Sequence, residues 1–138
     1  MRSGQMLVEL LLALAVTVLV LVALVQITTR SIFSTRFSQE QSQATTLGTQ
    51  AVEWLRLQRS LDWTAFFANS GKYCLQNLLW QPPPPCLPIT GTIYTRTVTM
   101  TPLALAGGGA MVTAVVEVVW SEGSKNFTAN QTAVFYKY

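Results

Sequence analysis

The sequence predicts an α+β protein. One long N-terminal helix, whose first half spans a membrane, is expected to pack on a small antiparallel sheet of about three strands. Half of the 138 residues are apolar and only 11% are charged, against roughly 25% in ordinary soluble domains. Neither Pro nor Gly occurs between Gly4 and Gly48, whereas the last third of the chain alternates apolar and polar residues. The first pattern indicates a long helix and the second indicates strands.

The first element is an apolar segment, Met6–Val25, in which only Glu9 and Thr17 are polar. Its twenty residues reach ~30 Å as a helix, which is about the thickness of a bilayer core. The alternative is a secretory signal peptide. Signal peptides, however, have a shorter apolar core than this segment, and a cleavage site of small residues follows that core. Here Gln26–Arg30 follows instead. We therefore predict a retained single-span anchor over residues 5–25.

The helical pattern continues beyond this segment, although the composition becomes polar. Apolar residues spaced by three, four or seven positions form a stripe: Phe33, Phe37, Ala44, Leu47, Ala51, Trp54 and Leu55. The polar stretch Ser38–Gln43 interrupts it. Such a stripe is typical of an amphipathic helix that packs on a core. We expect one helix from about Gln5 to about Ser60, with residues 26–60 as its amphipathic half.

Residues 61–138 form the predicted sheet domain. Residues 61–91, which include the four prolines Pro82–Pro85, are expected to be rich in loops. Three segments have strand composition or period-two alternation: Thr92–Thr101, Met111–Trp120 and Asn126–Tyr136. We expect a short hairpin loop at 121–125 and a longer flexible connection at 102–110, which contains three consecutive glycines.

The alternation also predicts which side chains of the last two strands face the helix. In the first of these strands they are Val112, Ala114, Val116, Val118 and Trp120, with Glu117 on the opposite face. In the second they are Phe127, Ala129, Ala133 and Phe135.

Cys74 and Cys86 are the only cysteines, and they enclose eleven residues. Without any His, they cannot form a four-ligand zinc site, and their spacing differs from the Cys-x-x-Cys of redox enzymes. Small domains often need a covalent cross-link, so we predict a structural disulfide. Because disulfides persist in oxidising compartments, the domain is expected to lie outside the cytoplasm.

The N-terminal residues carry a further signal. Gly4 is followed by Gln5-Met6-Leu7-Val8-Glu9 and then by the apolar run. This order resembles the prepilin cleavage and methylation motif of type IV pilins, minor pilins and pseudopilins. The resemblance implies a leader at residues 1–4, cleavage between Gly4 and Gln5 by a prepilin peptidase, and N-methylation of Gln5. The family usually has Phe or Met at that first mature position, so Gln5 is a departure that bears on methylation more than on cleavage.

The resemblance also implies a pilin-like fold and a role. The chain would be a minor pilin or pseudopilin, a non-enzymatic filament subunit whose Glu9 neutralises the new amino terminus of a neighbour during assembly. Its partners would be the membrane, the prepilin peptidase and other subunits. The N-terminus would be cytoplasmic before assembly, and the mature subunit would lie in a surface filament or periplasmic pseudopilus. The alternatives are a major pilin or DNA-uptake pilus subunit, and a single-span anchored extracytoplasmic domain of another role.

Composition argues against several other classes. The chain has no His and only six acidic residues, which excludes a histidine-based triad and disfavours metal sites. Residues 61–138 contain four basic and three acidic side chains without a basic stripe, so nucleic-acid binding is not expected. We predict no catalytic residues, cofactor or metal.

Overall fold

The computed structural model of this chain describes residues 2–83 and 85–137, with side chains from Met6 onward. Within these ranges it contains two helices and four strands: α1 (Arg2–Leu61), α2 (Trp63–Ala68), β1 (Gly71–Cys74), β2 (Thr95–Ala104), β3 (Ala110–Glu122) and β4 (Lys125–Lys137). The strands form one sheet in the order β1-β2-β3-β4, each antiparallel to its neighbour. The predicted α+β class is confirmed, with four strands where about three were expected.

Helix α1 matches the predicted span of about Gln5 to about Ser60. Its residues up to Glu40 belong to one compact unit, and the remainder of the chain forms a second unit. At the end of α1, the Asp62 carboxylate accepts hydrogen bonds from the backbone N–H groups of Thr64 (2.8 Å) and Ala65 (3.0 Å). Asp62 is therefore the N-cap of α2. Residues 61–91 were expected to be rich in loops, and α2 was not predicted there because six residues are too few to show a helical period.

In the second unit, α1 packs on the inner face of the sheet through its predicted stripe. Ala44, Ala51 and Leu55 are fully buried, and Leu47 and Trp54 are half-buried. The prediction is therefore confirmed for these five residues. In the first unit, by contrast, the earlier members of the stripe are not buried.

The earlier members of the stripe are Phe33 and Phe37. The side chain of Phe33 is 53% exposed, and that of Phe37 is only partly covered. The expectation that Phe33 belongs to the core is wrong for the single chain. Its spacing fits the stripe, but the described residues of the first unit are all helical and provide no sheet to cover it.

The core lies between α1 and the inner face of the sheet. Every predicted inward residue of β3 is at most 1% exposed: Val112, Ala114, Val116, Val118 and Trp120. In β4, Ala129 and Phe135 are buried, while Phe127 and Ala133 are half-buried. Alternation therefore predicted the faces of both strands correctly.

Strand β1 was missed, and β2 lies about three residues later than expected. β1 has only four residues, too few for a recognisable alternation. β2 runs through Pro102 to Ala104. Because β1 pairs with β2 only as far as Met100, Pro102 has a strand neighbour on one side only, where a missing N–H group is tolerated. The flexible connection is consequently shorter than the predicted 102–110.

The β3–β4 turn is tighter than the predicted five-residue loop. Glu122 pairs with Lys125, so only Gly123 and Ser124 connect the strands. Gly123 has φ 61°, a left-handed conformation that glycine adopts without steric cost. The predicted hairpin is confirmed, and glycine is the residue best suited to position 123 of its turn.

Candidate functional site

The apolar segment Met6–Val25 is exposed along its whole length. Leu19, for example, is 69% exposed, and none of the most apolar window is buried within the protein. The helix is long and apolar enough to cross a membrane. A continuous apolar surface of this size is unfavourable in water, so it requires lipid or other protein around it.

Glu9 is the one ionisable residue of the apolar segment, and its side chain is exposed. The other polar residue, Thr17, satisfies its hydroxyl by donating to the Ala13 carbonyl at 2.8 Å. The residues that the structure describes provide no hydrogen-bond partner for the Glu9 carboxylate. A carboxylate in such an apolar segment would be costly in lipid unless an opposite charge or interfacial water reached it.

The residues of the predicted cleavage site are helical in backbone. Gly4 and Gln5 both lie in the first turns of α1, while the side chain of Gln5 and all of Met1 lie outside the described part of the protein. The structure thus places Gly4, Gln5 and Glu9 on one continuous helix. Cleavage and methylation there stay predictions.

Cys74 and Cys86 form a disulfide, as predicted, with their Cα atoms 5.5 Å apart. Cys74 is the last residue of β1 and is 3% exposed. Its backbone also pairs with Gln81, whose N–H donates to the Cys74 carbonyl at 3.2 Å. The disulfide therefore closes a loop that returns to the end of β1. Within that loop, Pro84 lies outside the described residues.

Reducing this disulfide is expected to lower the free energy of unfolding by about 3 kcal/mol, because the loop it closes has about a dozen residues. The double variant Cys74→Ser, Cys86→Ser should show the same loss in urea unfolding without reductant. Wild type with reductant should match the variant, and further reductant should leave the variant unchanged. Equal stability of oxidised and reduced wild type would contradict a stabilising role.

Arg96 is a structural residue that sequence reasoning missed. It lies on β2 and is 3% exposed, and its Nε donates to the Leu75 carbonyl (3.0 Å) and its Nη1 to the Leu47 carbonyl (2.8 Å). Burial lowers the pKa of the Arg96 guanidinium. One side chain thus joins the sheet, helix α1 and the start of the disulfide loop.

Gln131 makes a second polar contact between sheet and helix. It lies on β4 among inward-facing apolar residues, and its Nε2 donates to the Thr45 carbonyl (2.9 Å) and to the Thr49 hydroxyl (3.1 Å). Gly48 makes room for it, since a Cβ there would lie 3.1 Å from the Gln131 side chain. This close approach explains a buried glycine within a helix.

The described residues contain no group of three or more His, Cys, Asp or Glu side chains that could hold a metal ion. The outer face of the sheet has an ion pair between Lys72 Nζ and Glu117 Oε2 at 2.8 Å, and both side chains are partly exposed. Such pairs contribute little to stability. The features with chemical consequence are therefore the apolar segment with Glu9, and the covalent and polar cross-links of the sheet domain.

Comparison with known proteins assigns no family: no family model matches the chain, and no curated protein or solved structure matches it significantly.

Proposed function

We propose that the chain is a structural subunit of a type IV pilin-like filament, of the minor-pilin or pseudopilin kind. The observation that carries the proposal is Glu9, an exposed carboxylate in an apolar helix, five residues after Gly4. A charge in this position is costly in lipid unless an opposite charge reaches it. Cleavage after Gly4 would create such a charge, an ammonium group, on each neighbouring subunit.

The exposed apolar segment is suited to two environments that the subunit would occupy in turn, the membrane and the filament core. Before assembly, lipid would cover Met6–Val25, which has the length of a membrane span. After assembly, the same surface would pack against equivalent helices of other subunits. Because both environments are apolar, transfer from one to the other costs little, and the pairing of Glu9 with a neighbour's terminus would favour the filament.

The disulfide supports an orientation in which the sheet domain lies outside the cytoplasm. Cys74–Cys86 is in the sheet domain, and disulfides persist in oxidising compartments outside the cytoplasm. With one span, the N-terminus would then be cytoplasmic. The sheet domain would face outward, where it contacts other subunits or primes assembly.

The mature N-terminus tests the proposal. In cells with a prepilin peptidase, mass spectrometry of the intact protein is expected to show a chain that begins at Gln5. In cells without the enzyme the leader should stay attached. Gly4→Val should keep the leader attached even in cells that have the peptidase, because a side chain would enter the site where the enzyme accepts glycine. The matched leader variant Ser3→Ala should be processed normally.

One further methyl mass on the mature chain would test methylation of Gln5 separately. Persistence of residues 1–4 in peptidase-positive cells, together with absence from every filament, would instead identify an ordinary tethered domain. Abundance in purified filaments would distinguish a minor subunit from the major pilin.

A further inference from the structure

The outer edge of β4 has the properties of a strand-pairing site. β4 is the last strand of the sheet, and no other described strand pairs with that edge. From Asn126 to Tyr136 it contains no charged residue, Pro or Gly. Proteins usually protect edge strands with such residues, since unpaired backbone N–H and C=O groups bind other chains. Between the terminal Lys125 and Lys137, β4 therefore has a long unprotected edge, which indicates a binding surface.

A groove of about 830 Å³ runs along this edge. On the strand side it contacts the five consecutive residues 131–135. Because successive side chains of a strand point to opposite faces, a groove that contacts all five lies along the edge of the strand. An extended segment in this groove would reach the backbone of β4.

The other wall of the groove is the C-terminal part of α1, which supplies Glu53, Arg56 and Arg59. Glu53 is paired with Arg56 through Oε1 and Nη1. Two arginines and one glutamate leave one net positive charge, which Arg59 contributes from the last turn of the helix. The charge next to the β4 edge is therefore positive.

We propose that this groove binds an extended segment of a partner protein, which pairs with β4 as a fifth strand and places an acidic side chain beside Arg59. Backbone pairing supplies affinity in this mode, and side-chain contacts supply specificity. A second copy of the chain fits less well, because a symmetric β4–β4 pairing would bring two copies of the same positive surface together. The proposal does not depend on the filament role.

The test uses the full chain in detergent micelles and a pooled library of eight-residue peptides. Each peptide alternates Val, Ile or Thr with randomised positions, so that it favours an extended conformation. Peptides retained by the wild-type chain are expected to be enriched in Asp and Glu. Hydrogen exchange of the complex with the most enriched peptide should slow at every second residue within 131–135, because those residues have the N–H groups that face the open edge and become paired.

Arg59→Glu is expected to weaken binding of that peptide about tenfold and to shift enrichment towards Lys and Arg. Lys125→Glu makes the same charge change at the first residue of β4, away from the groove at residues 131–135. It should leave both the affinity for that peptide and the enrichment pattern unchanged. The proposal is overturned if no peptide is retained, if the two variants behave alike, or if exchange at β4 is unaffected. It is also overturned if the chain dimerises through β4 and the dimer excludes the peptides.

Discussion

Replacing Glu9 with Gln is expected to remove the chain from filaments while leaving it inserted in the membrane. Gln has the size of Glu but no charge, so the substitution removes only the proposed ion pair with a neighbour's amino terminus. Insertion should be unaffected or easier, because an amide costs less in hydrocarbon than a carboxylate. The measurement is the amount of the protein in sheared, purified filaments relative to the amount in the membrane fraction.

The size of the effect follows from the electrostatics of the pair. Two opposite charges about 4 Å apart attract by about 4 kcal/mol at an effective dielectric constant of about 20. Removing both from water offsets part of this gain. A net loss of about 1.4–3 kcal/mol per subunit would reduce incorporation about 10- to 100-fold.

Glu53→Gln is the matched control, since it makes the same chemical change at an exposed ion pair in the C-terminal part of α1. It should enter filaments at the wild-type level. Glu9→Asp retains the charge on a shorter side chain and should restore part of the incorporation. If Glu9→Gln subunits are recovered in filaments as efficiently as Glu53→Gln subunits, the proposed role of Glu9 is wrong.

Local sequence patterns predicted the parts of the fold that depend on periodicity. The absence of Pro and Gly between Gly4 and Gly48 predicted an unbroken helix, and alternation predicted the buried face of β3, including Val116 and Trp120. Each of these signals is repeated several times along the chain, so an error at one position does not remove it. The two cysteines were informative for a different reason, since the absence of His left few alternatives to a disulfide.

The elements that were missed are short or depend on distant partners. Strand β1 and helix α2 have too few residues to show a period. Arg96 alternates in phase with the inward Val98 and Met100, but no local pattern predicts its partner Leu47, which is 49 positions away. Gln131 interrupts the inward face of β4, and only its contact with α1 explains why it is there. Both Arg96 and Gln131 are polar residues at strand positions where alternation predicts apolar ones, and that mismatch is the sequence signal that could have identified them.

Arg96→Ala is expected to lower the free energy of unfolding of the sheet domain by about 4 kcal/mol. Each of its two hydrogen bonds involves a charged donor and contributes about 1.5–3 kcal/mol. The deleted side chain also leaves a cavity, which adds to the loss. Part is regained, because burial of the guanidinium is itself unfavourable, as its lowered pKa indicates. Since domains of this size are stable by about 5–15 kcal/mol, the variant should be close to unfolding at 37 °C.

Urea unfolding of a chain that begins at Gln41, the start of the second compact unit, measures this loss through tryptophan fluorescence. Arg56→Ala is the matched control: its side chain is 60% exposed and ion-paired, so the loss should be about 0.5 kcal/mol or less. Arg96→Lys retains the charge but lacks the planar fork that reaches two carbonyls, and it should recover at most about half of the loss.

Arg96→Met distinguishes hydrogen bonding from packing, because Met fills most of the volume of Arg without a donor. If the two carbonyl contacts stabilise the domain, Arg96→Met should be intermediate between Arg96→Ala and wild type. Buried charges can also be less favourable than an apolar side chain of similar size. A Met variant as stable as wild type would therefore show that the guanidinium does not stabilise the junction of Leu47 and Leu75, and that the effect of Arg96→Ala is due to the cavity alone.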